Sequence, residues 1–245
     1  MPNERFFIES APDGPAVQLG RADAHHLRDV RRVKVGDEVE LFDGSGTDYV
    51  GRVAALERGS VTIEIVRSEP TRREPDVSVT LAVSVVKQQG MHRLIDMCTQ
   101  LGLNRLIPMW TERSVVKAGA GKSERWRRIA IEACKQCGRS IVPDIEEPCA
   151  FAVALDAAGG YDVALIASMQ PDARPPADAV GAGCRSVLCL IGPEGGFTDE
   201  EEAAALEAGC IPVSLGRSIL RTETAAAAAI AMVLQPTTHD GTGQV

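Results

Sequence analysis

No apolar run in this 245-residue sequence reaches the ~18 to 20 residues that a membrane-spanning helix needs. The opening MPNERFFIES lacks the basic start and apolar stretch of a signal peptide, so a cytoplasmic protein with no membrane partner is expected. A disulfide framework is missing too: seven cysteines, an odd number without regular spacing, fit reduced thiols that fill a core. A phosphate-binding P-loop is nearly present and fails. AGAGKS at 118–123 ends like one, but the pattern needs glycine where Val116 stands, so the stretch reads as a flexible basic loop. Cys134 and Cys137 close a helical stretch just before Gly138, whereas a redox pair belongs at a helix N-terminus, where the dipole lowers a thiol pKa. No second C-x-x-C or H-x3-H exists to complete four ligands, and the adjacent His25 and His26 point apart on a helix, so no metal is expected.

What is present is ordinary in bulk and uneven in detail. An apolar fraction of 44% and a charged fraction of 24% match folded globular proteins, and the length allows one large domain or two unequal ones. The net charge of -8 hides a division: residues 87–139 hold eleven Lys/Arg against four Asp/Glu, whereas residues 140–245 hold four against fifteen. A basic segment in an acidic chain attracts phosphates, because the nearby field governs contact rather than the total charge; a solvated helix face is the plainer alternative.

From Val35 the sequence reads as short strands cut by turns, VGDEVELFDG, GSGTDYVGRVAAL and ERGSVTIEIV, a small antiparallel barrel or sheet. Before them ADAHHLRDVRRV suits a short helix with Asp23 as N-cap and a basic face of His25, Arg28 and Arg32. SEPTRREPD at 68–76 carries no periodic apolar pattern, so the expected domains are 1–72 and 73–245. In the second, the continuous apolar VSVTLAVSVV is a strand buried on both faces. Strands at LNRLIPMW, DVALIAS, SVLCLIG and IPVSLG follow, with helices from about 91 to 101 and at SERWRRIAIEACKQCG, TDEEEAAALEAG and TETAAAAAIAMVLQ. This alternation predicts an α/β domain around a mostly parallel sheet.

Two loops carry the chemistry. VLCLIGPEGGFTDEEE at 187–202 runs from a strand through a glycine-rich turn into a helix whose Thr198 and Glu201 form a capping box. The strand C-termini of an open α/β sheet border a ligand crevice, and glycine lets the backbone approach a ligand closely; a glycine-rich turn is also an ordinary change of direction. VSLGRSILRTETAAAAAI at 213–230 supplies a second such loop. Its apolar side chains with isolated Arg221 and Glu223 suit a purine and a reacting base better than a triphosphate, which wants several cations and a metal.

IGPEGGFTDEE followed by SLGRSILRTETAAAAA resembles the RsmE-type uridine-N3 methyltransferases of small-subunit ribosomal RNA, in the SPOUT superfamily. The likeness extends to RFF at 5–7, HHLRDVRRVKVGDEVELFDG at 25–44, TERSVVK at 111–117, RW at 125–126 and EACKQCGR before the VP at 142–143. Residues 88–91 and 97–102 depart from that family's pattern. The resemblance implies an N-terminal PUA-like RNA-binding β-barrel, a C-terminal domain with a trefoil knot, and a homodimer. It also implies S-adenosylmethionine as cofactor, held by Gly192, Pro193, Glu194, Gly195, Gly196, Leu215, Gly216, Ile219, Leu220 and Arg221, with 16S ribosomal RNA or the small subunit as partner.

Methyl transfer from a sulfonium is an in-line displacement that needs alignment and no metal. Uracil N3 is protonated and buried in pairing, so the base must be unpaired, flipped and deprotonated. Arg221 is the candidate to stabilise the developing oxyanion and Glu223 to accept the proton; the alternative is that Arg221 braces the loops and water takes the proton. Arg5, His26, Arg28, Arg31, Arg32, Arg125, Arg127 and Arg128 are the candidate phosphate contacts. A noncatalytic RNA-binding or ribosome-assembly protein is the competing function class, in which the glycine loops merely turn the chain.

Overall fold

A computed structural model describes residues 5–116, 119 and 121–234; Lys117, Ala118 and Ala120 of the expected basic loop lie outside the described residues. The chain divides into two compact units, one running to Glu74 and taking in Ile131–Val142, the other comprising Pro75–Ala130 and the chain from Pro143.

The first unit is a five-stranded sheet of β1 (Arg5–Phe7), β2 (Ala16–Leu19), β3 (Glu38–Phe42), β4 (Thr47–Leu56) and β5 (Val61–Pro70), in the order β1-β3-β4-β5-β2. Alternation decides its faces: Val61 and Ile63 turn inward with Val39, Leu41, Val53, Phe6 and Leu27 to form its core. The three strands read from the sequence, β3, β4 and β5, pair antiparallel as expected, and β1, which lies outside them, joins β3 in parallel. Helix α1 (Arg21–His25) runs on as one π-helical turn, His26–Val30. Asp23 is not its N-cap, because the helix has already begun at Arg21, with the Ala24 N–H donating to the Gly20 carbonyl. Arg32 does not share the helical face either; it lies past the last turn with a φ of 55°.

Glu74 secures residues 139–141 to this unit. Its Oε2 accepts from Arg139 Nε at 2.8 Å and Nη2 at 2.5 Å, and its Oε1 accepts from the Ser140 and Ile141 amides at 3.1 and 3.0 Å. Arg5, expected as a phosphate contact, is buried in the same unit. Its guanidinium donates to Asp48 and Ser140 at 2.7 Å and lies 4.8 Å from the Phe42 ring centroid. Two carboxylates, Asp48 and Glu40, accompany the charge inside, so it offers nothing to RNA at the surface.

The second unit is built on β6 (Ser78–Ser84), β7 (Leu103–Trp110), β8 (Asp144–Ile145), β9 (Cys149–Ala150), β10 (Val163–Ala167), β11 (Ser186–Ile191) and β12 (Ile211–Val213). Their order is β12-β10-β11-β6-β7-β8, with β9 also on β7, and all these pairings are parallel. The α/β fold with a mostly parallel sheet is therefore as the sequence predicts. Strands β6 and β11 pair in unbroken register from Ser78 and Ser186 to Val83 and Ile191. Both are nearly continuous apolar runs because both faces are covered. Helices α4 (Phe151–Asp156) and α6 (Asp199–Glu207) contribute Phe151, Ala154 and Ala205 to one core cluster, with Leu188, Leu190 and Phe197. Helices α2 (Gln88–Leu101) and α7 (Thr222–Val233) pack on each other and on β6 and β7. Their small buried residues, Ala226 and Ala229 on α7 and Cys98 on α2, allow that approach. The amphipathic α3 (Ser123–Cys137) and the short α5 (Pro176–Ala179) complete the set. Since the strands are parallel, their carboxyl ends share one edge, and five loops gather there.

Candidate active site

The glycine turn after β11 is fixed from three sides. Within it the Gly196 N–H donates to the Pro193 carbonyl at 2.8 Å, and Gly196 sits at a φ of 68°, where a side chain would strain the backbone. From the loop after β7, Arg113 Nη1 donates to the carbonyls of Gly195 at 2.9 Å and Phe197 at 2.8 Å. Downstream the predicted capping box is present: Thr198 Oγ1 accepts from the Glu201 amide at 3.2 Å, and Glu201 Oε2 accepts from the Thr198 amide at 3.0 Å. The other oxygen of Glu201 accepts from the Glu112 amide at 2.8 Å, so one carboxylate joins two loops. At the start of α7, Thr222 Oγ1 donates to the Gly192 carbonyl at 3.3 Å. The remaining loops are tied by backbone, with Ser168 N–H to the Val213 carbonyl and Ser214 N–H to the Arg174 carbonyl, each at 2.9 Å.

These loops enclose two adjoining cavities. The first, about 240 Å3, is walled by the 192–197 turn, by Leu215 and 218–220 from the loop after β12, and by Ser168 and Met169 after β10. The second, about 440 Å3, is bordered by Lys87 and Arg93 of the α2 start, Val115 and Val116, and Arg221 with Glu223. Pro193 and Glu194 line both. The first offers backbone groups and apolar side chains; Met169 is 66% and Ile219 81% exposed at its mouth, large apolar surfaces that a flat aromatic ligand would cover. The second brings three cations, Lys87, Arg93 and Arg221, together with two carboxylates, Glu194 and Glu223.

The structure thus brings Gly192, Pro193, Glu194, Gly195, Gly196, Leu215, Ile219 and Leu220 into one cavity. Arg221 and Glu223 line its neighbour. Gly216 lines neither cavity; at a φ of 132° it turns the chain between Leu215 and Ser218, which both line the first. Sequence reading missed Lys87, Arg93 and Arg113. A faint signal existed for Lys87, a cation that ends an otherwise apolar run, and for Arg113, which stands in the TERSVVK stretch.

Among the surface cations of the first unit, Arg28 is partly neutralised. Its Nε and Nη2 each meet an Asp29 oxygen at 2.9 Å, and His25 Nδ1 lies 2.5 Å from the same carboxylate. The Arg28 hydrogen bond, then that of His25, holds the Asp29 carboxyl well below the usual range. His26 is exposed and meets Phe6 edge-on at 6.2 Å. Arg125 and Arg128 on α3 are exposed and Arg127 is half-buried. Among the described residues no group of three metal-ligating side chains occurs, and no helix is long and apolar enough to cross a membrane.

A parallel sheet with a glycine-walled cavity beside a cationic one at its carboxyl edge suits a nucleotide-like ligand next to a charged one, and the family models give the class, an RNA methyltransferase. Residues 73–234 match the RNA methyltransferase domain and residues 19–66 the RNA methyltransferase PUA domain. A ribosomal RNA small subunit methyltransferase E from Synechocystis is 32% identical over 89% of this chain and 72% of its own length. A ribosomal RNA small subunit methyltransferase E from Neisseria gonorrhoeae, solved bound to S-adenosyl methionine, is 33% identical, covers 94% of this chain and 95% of its own, and has a TM-score of 0.85. A protein from Legionella pneumophila, solved in complex with the bound cofactor SAM, is 28% identical, with a TM-score of 0.85 and coverage of 95% and 97%. The chain belongs to the ribosomal RNA small subunit methyltransferase E family.

Proposed function

We propose that this protein methylates N3 of a uridine in 16S ribosomal RNA, with S-adenosylmethionine bound in the glycine-walled cavity and the target base in its neighbour. The observation that carries the reading is the shared wall: Pro193 and Glu194 border both cavities, so a methyl donor in one lies beside an acceptor in the other. The backbone of 192–196 and the apolar Leu215, Ile219 and Leu220 fit an adenosyl group, and Met169 at the mouth would cover its ring. The bound cofactor supplies an electrophilic methyl group on a sulfonium.

The chain's own residues prepare the acceptor. Arg221 faces the uracil carbonyl oxygens, where negative charge gathers as the N3 proton leaves, and Glu223 in the first turn of α7 accepts that proton. Lys87 and Arg93 add to the positive field. The backbone bonds of Arg113 and Thr222 hold the loops in place before the ligands arrive, which limits the ordering cost of binding. His26, Arg28, Arg31 and Arg32 on the first unit, and Arg125, Arg127 and Arg128 on α3, contact phosphates and set register without reading sequence. On this reading residues 1–72 hold RNA and residues 73–245 carry out transfer. The knotted threading of the C-terminal loops, a homodimer and a cytoplasmic place of work belong to the same proposal.

The test is mass spectrometry of nucleosides from small-subunit ribosomal RNA incubated with the protein and S-adenosylmethionine. N3-methyluridine should accumulate. A methyl group on ribose or on another base atom would refute the assignment, as would a calorimetric titration with the cofactor that gives no heat.

A further inference from the structure

The larger unit holds another cavity, of whose lining the reading above uses only Arg125, as a phosphate contact. It encloses about 310 Å3 between α2 and α3 and is lined by Gln88, Gln89, His92, Arg125, Trp126 and Ile129. Gln88 and His92 stand four apart on α2, and Arg125 and Ile129 four apart on α3, so each pair forms one ridge. Trp126 is 5% exposed, which fixes the indole, while Gln89, His92 and Arg125 are exposed around it. The Gln88 carboxamide lies against the Arg125 guanidinium, and with its oxygen placed on that side it would accept from Nη2 at 2.5 Å and Nη1 at 3.2 Å and so orient the cation. Gln89 also lines the cavity that contains Arg221 and Glu223.

An exposed ring, a guanidinium and amides are groups that recognise a single-stranded nucleotide: here the His92 imidazole can stack on the base, Arg125 meets phosphate, and the Gln88 and Gln89 amides pair with the base edge, while the buried Trp126 forms the floor. No carboxylate is among the lining residues, so nothing in the cavity repels a phosphate. A base that leaves its helix also strips its neighbour of a stacking partner, and a protein that stacks the neighbour lowers the cost of flipping. We propose that this cavity receives the unpaired nucleotide next to the one being methylated. The inference rests on the methyl-transfer reading for what fills the adjoining cleft, but its binding test does not.

The experiment uses the full chain, without cofactor, and a short end-labelled single-stranded oligoribonucleotide of mixed sequence whose binding is followed by fluorescence anisotropy. His92→Ala and Arg125→Ala alter exposed side chains, so folding is spared; replacing the buried Trp126 is avoided. Each variant should bind RNA about tenfold more weakly. A set of strands with one abasic position each should contain one that binds wild type about tenfold more weakly and costs His92→Ala nothing further. Calorimetry with S-adenosylmethionine should give His92→Ala the wild-type affinity, since that residue is outside the glycine-walled cavity. The proposal is overturned if His92→Ala binds RNA like wild type, or if every abasic strand weakens both proteins equally. It is also overturned if sedimentation shows that His92→Ala changes the oligomeric state, which would make the cavity a contact with a second copy. A wild type that shows the abasic pattern yet gives no heat with the cofactor sinks the methyl-transfer reading and leaves this site standing.

Discussion

Replacing Arg113 by methionine isolates the contribution of one clamp to the cofactor cavity. The Arg113 stem packs on Gly195, with Cβ and Cδ each 3.6 Å from where a Cβ would stand on that glycine, and methionine keeps most of this contact. What it loses is the pair of charge-assisted bonds from Nη1 to the Gly195 and Phe197 carbonyls, at 2.9 and 2.8 Å. Such bonds contribute ~1.5 to 3 kcal/mol each when well shielded; on a side chain as exposed as Arg113 about 0.5 to 1 kcal/mol each is appropriate. A turn released by ~1 to 2 kcal/mol must be re-ordered on binding, so S-adenosylmethionine should bind ~5- to 30-fold more weakly. Titration calorimetry on wild type, Arg113→Met and Arg113→Lys reads this directly, and lysine should recover part of the loss. An Arg113→Met protein that melts like wild type and binds the cofactor with unchanged affinity would show that the turn holds its shape alone.

Arg221→Ala should lower the methylation rate by ~100- to 1000-fold, the usual cost of removing an oxyanion donor, while cofactor affinity changes little; an unchanged single-turnover rate would leave Arg221 a bracing role. Glu74→Gln places an amide against the buried Arg139 guanidinium and should cost ~3 to 5 kcal/mol, or about 10 °C in melting temperature; Glu74→Met with Arg139→Met should lose less, and equal losses would argue against a buried-charge penalty. Asp162 is held below its ordinary pKa by the backbone N–H groups of Arg185 and Ser186. Its stabilisation is therefore present above the unfolded value of ~3.9 and fades as pH falls through the lower folded value. Melting temperatures recorded from about pH 5 to 2 should fall less steeply for Asp162→Asn than for wild type, and parallel curves would remove the assignment.

The sheet was legible because burial on both faces leaves no choice of residue: VSVTLAVSVV and SVLCLIG carry no alternation to misread. The capping box was legible because its partners are three residues apart. Distance along the chain is what defeated the rest. Arg5 looks like a surface cation until its partners are known, and Asp48 and Ser140 are 43 and 135 residues away. Strands β8 and β9 have two residues each, too few for any period to show. The return of 131–142 to the first unit is held by Glu74, Arg5 and the backbone of Gly44 and Gly46, and none of these is near it in sequence; Glu74 is one carboxylate in a run of prolines and charges that otherwise reads as a linker.

The site shows the same division more sharply. Residues 192–196 and 219–223 could be paired in advance because both follow strands, and parallel strands end on one edge. Lys87 and Arg93 also follow a strand, yet nothing local says which neighbours that strand has. Strand order supplies the answer: β6 lies between β11 and β7, so the start of α2 must sit beside the glycine turn on one side and the Arg113 loop on the other. On an edge strand the same two cations would face solvent. The chemistry of the second cavity is thus a consequence of strand order, and a circular permutation that preserved this order should preserve the cavity, whereas exchanging β6 with β10 would scatter it.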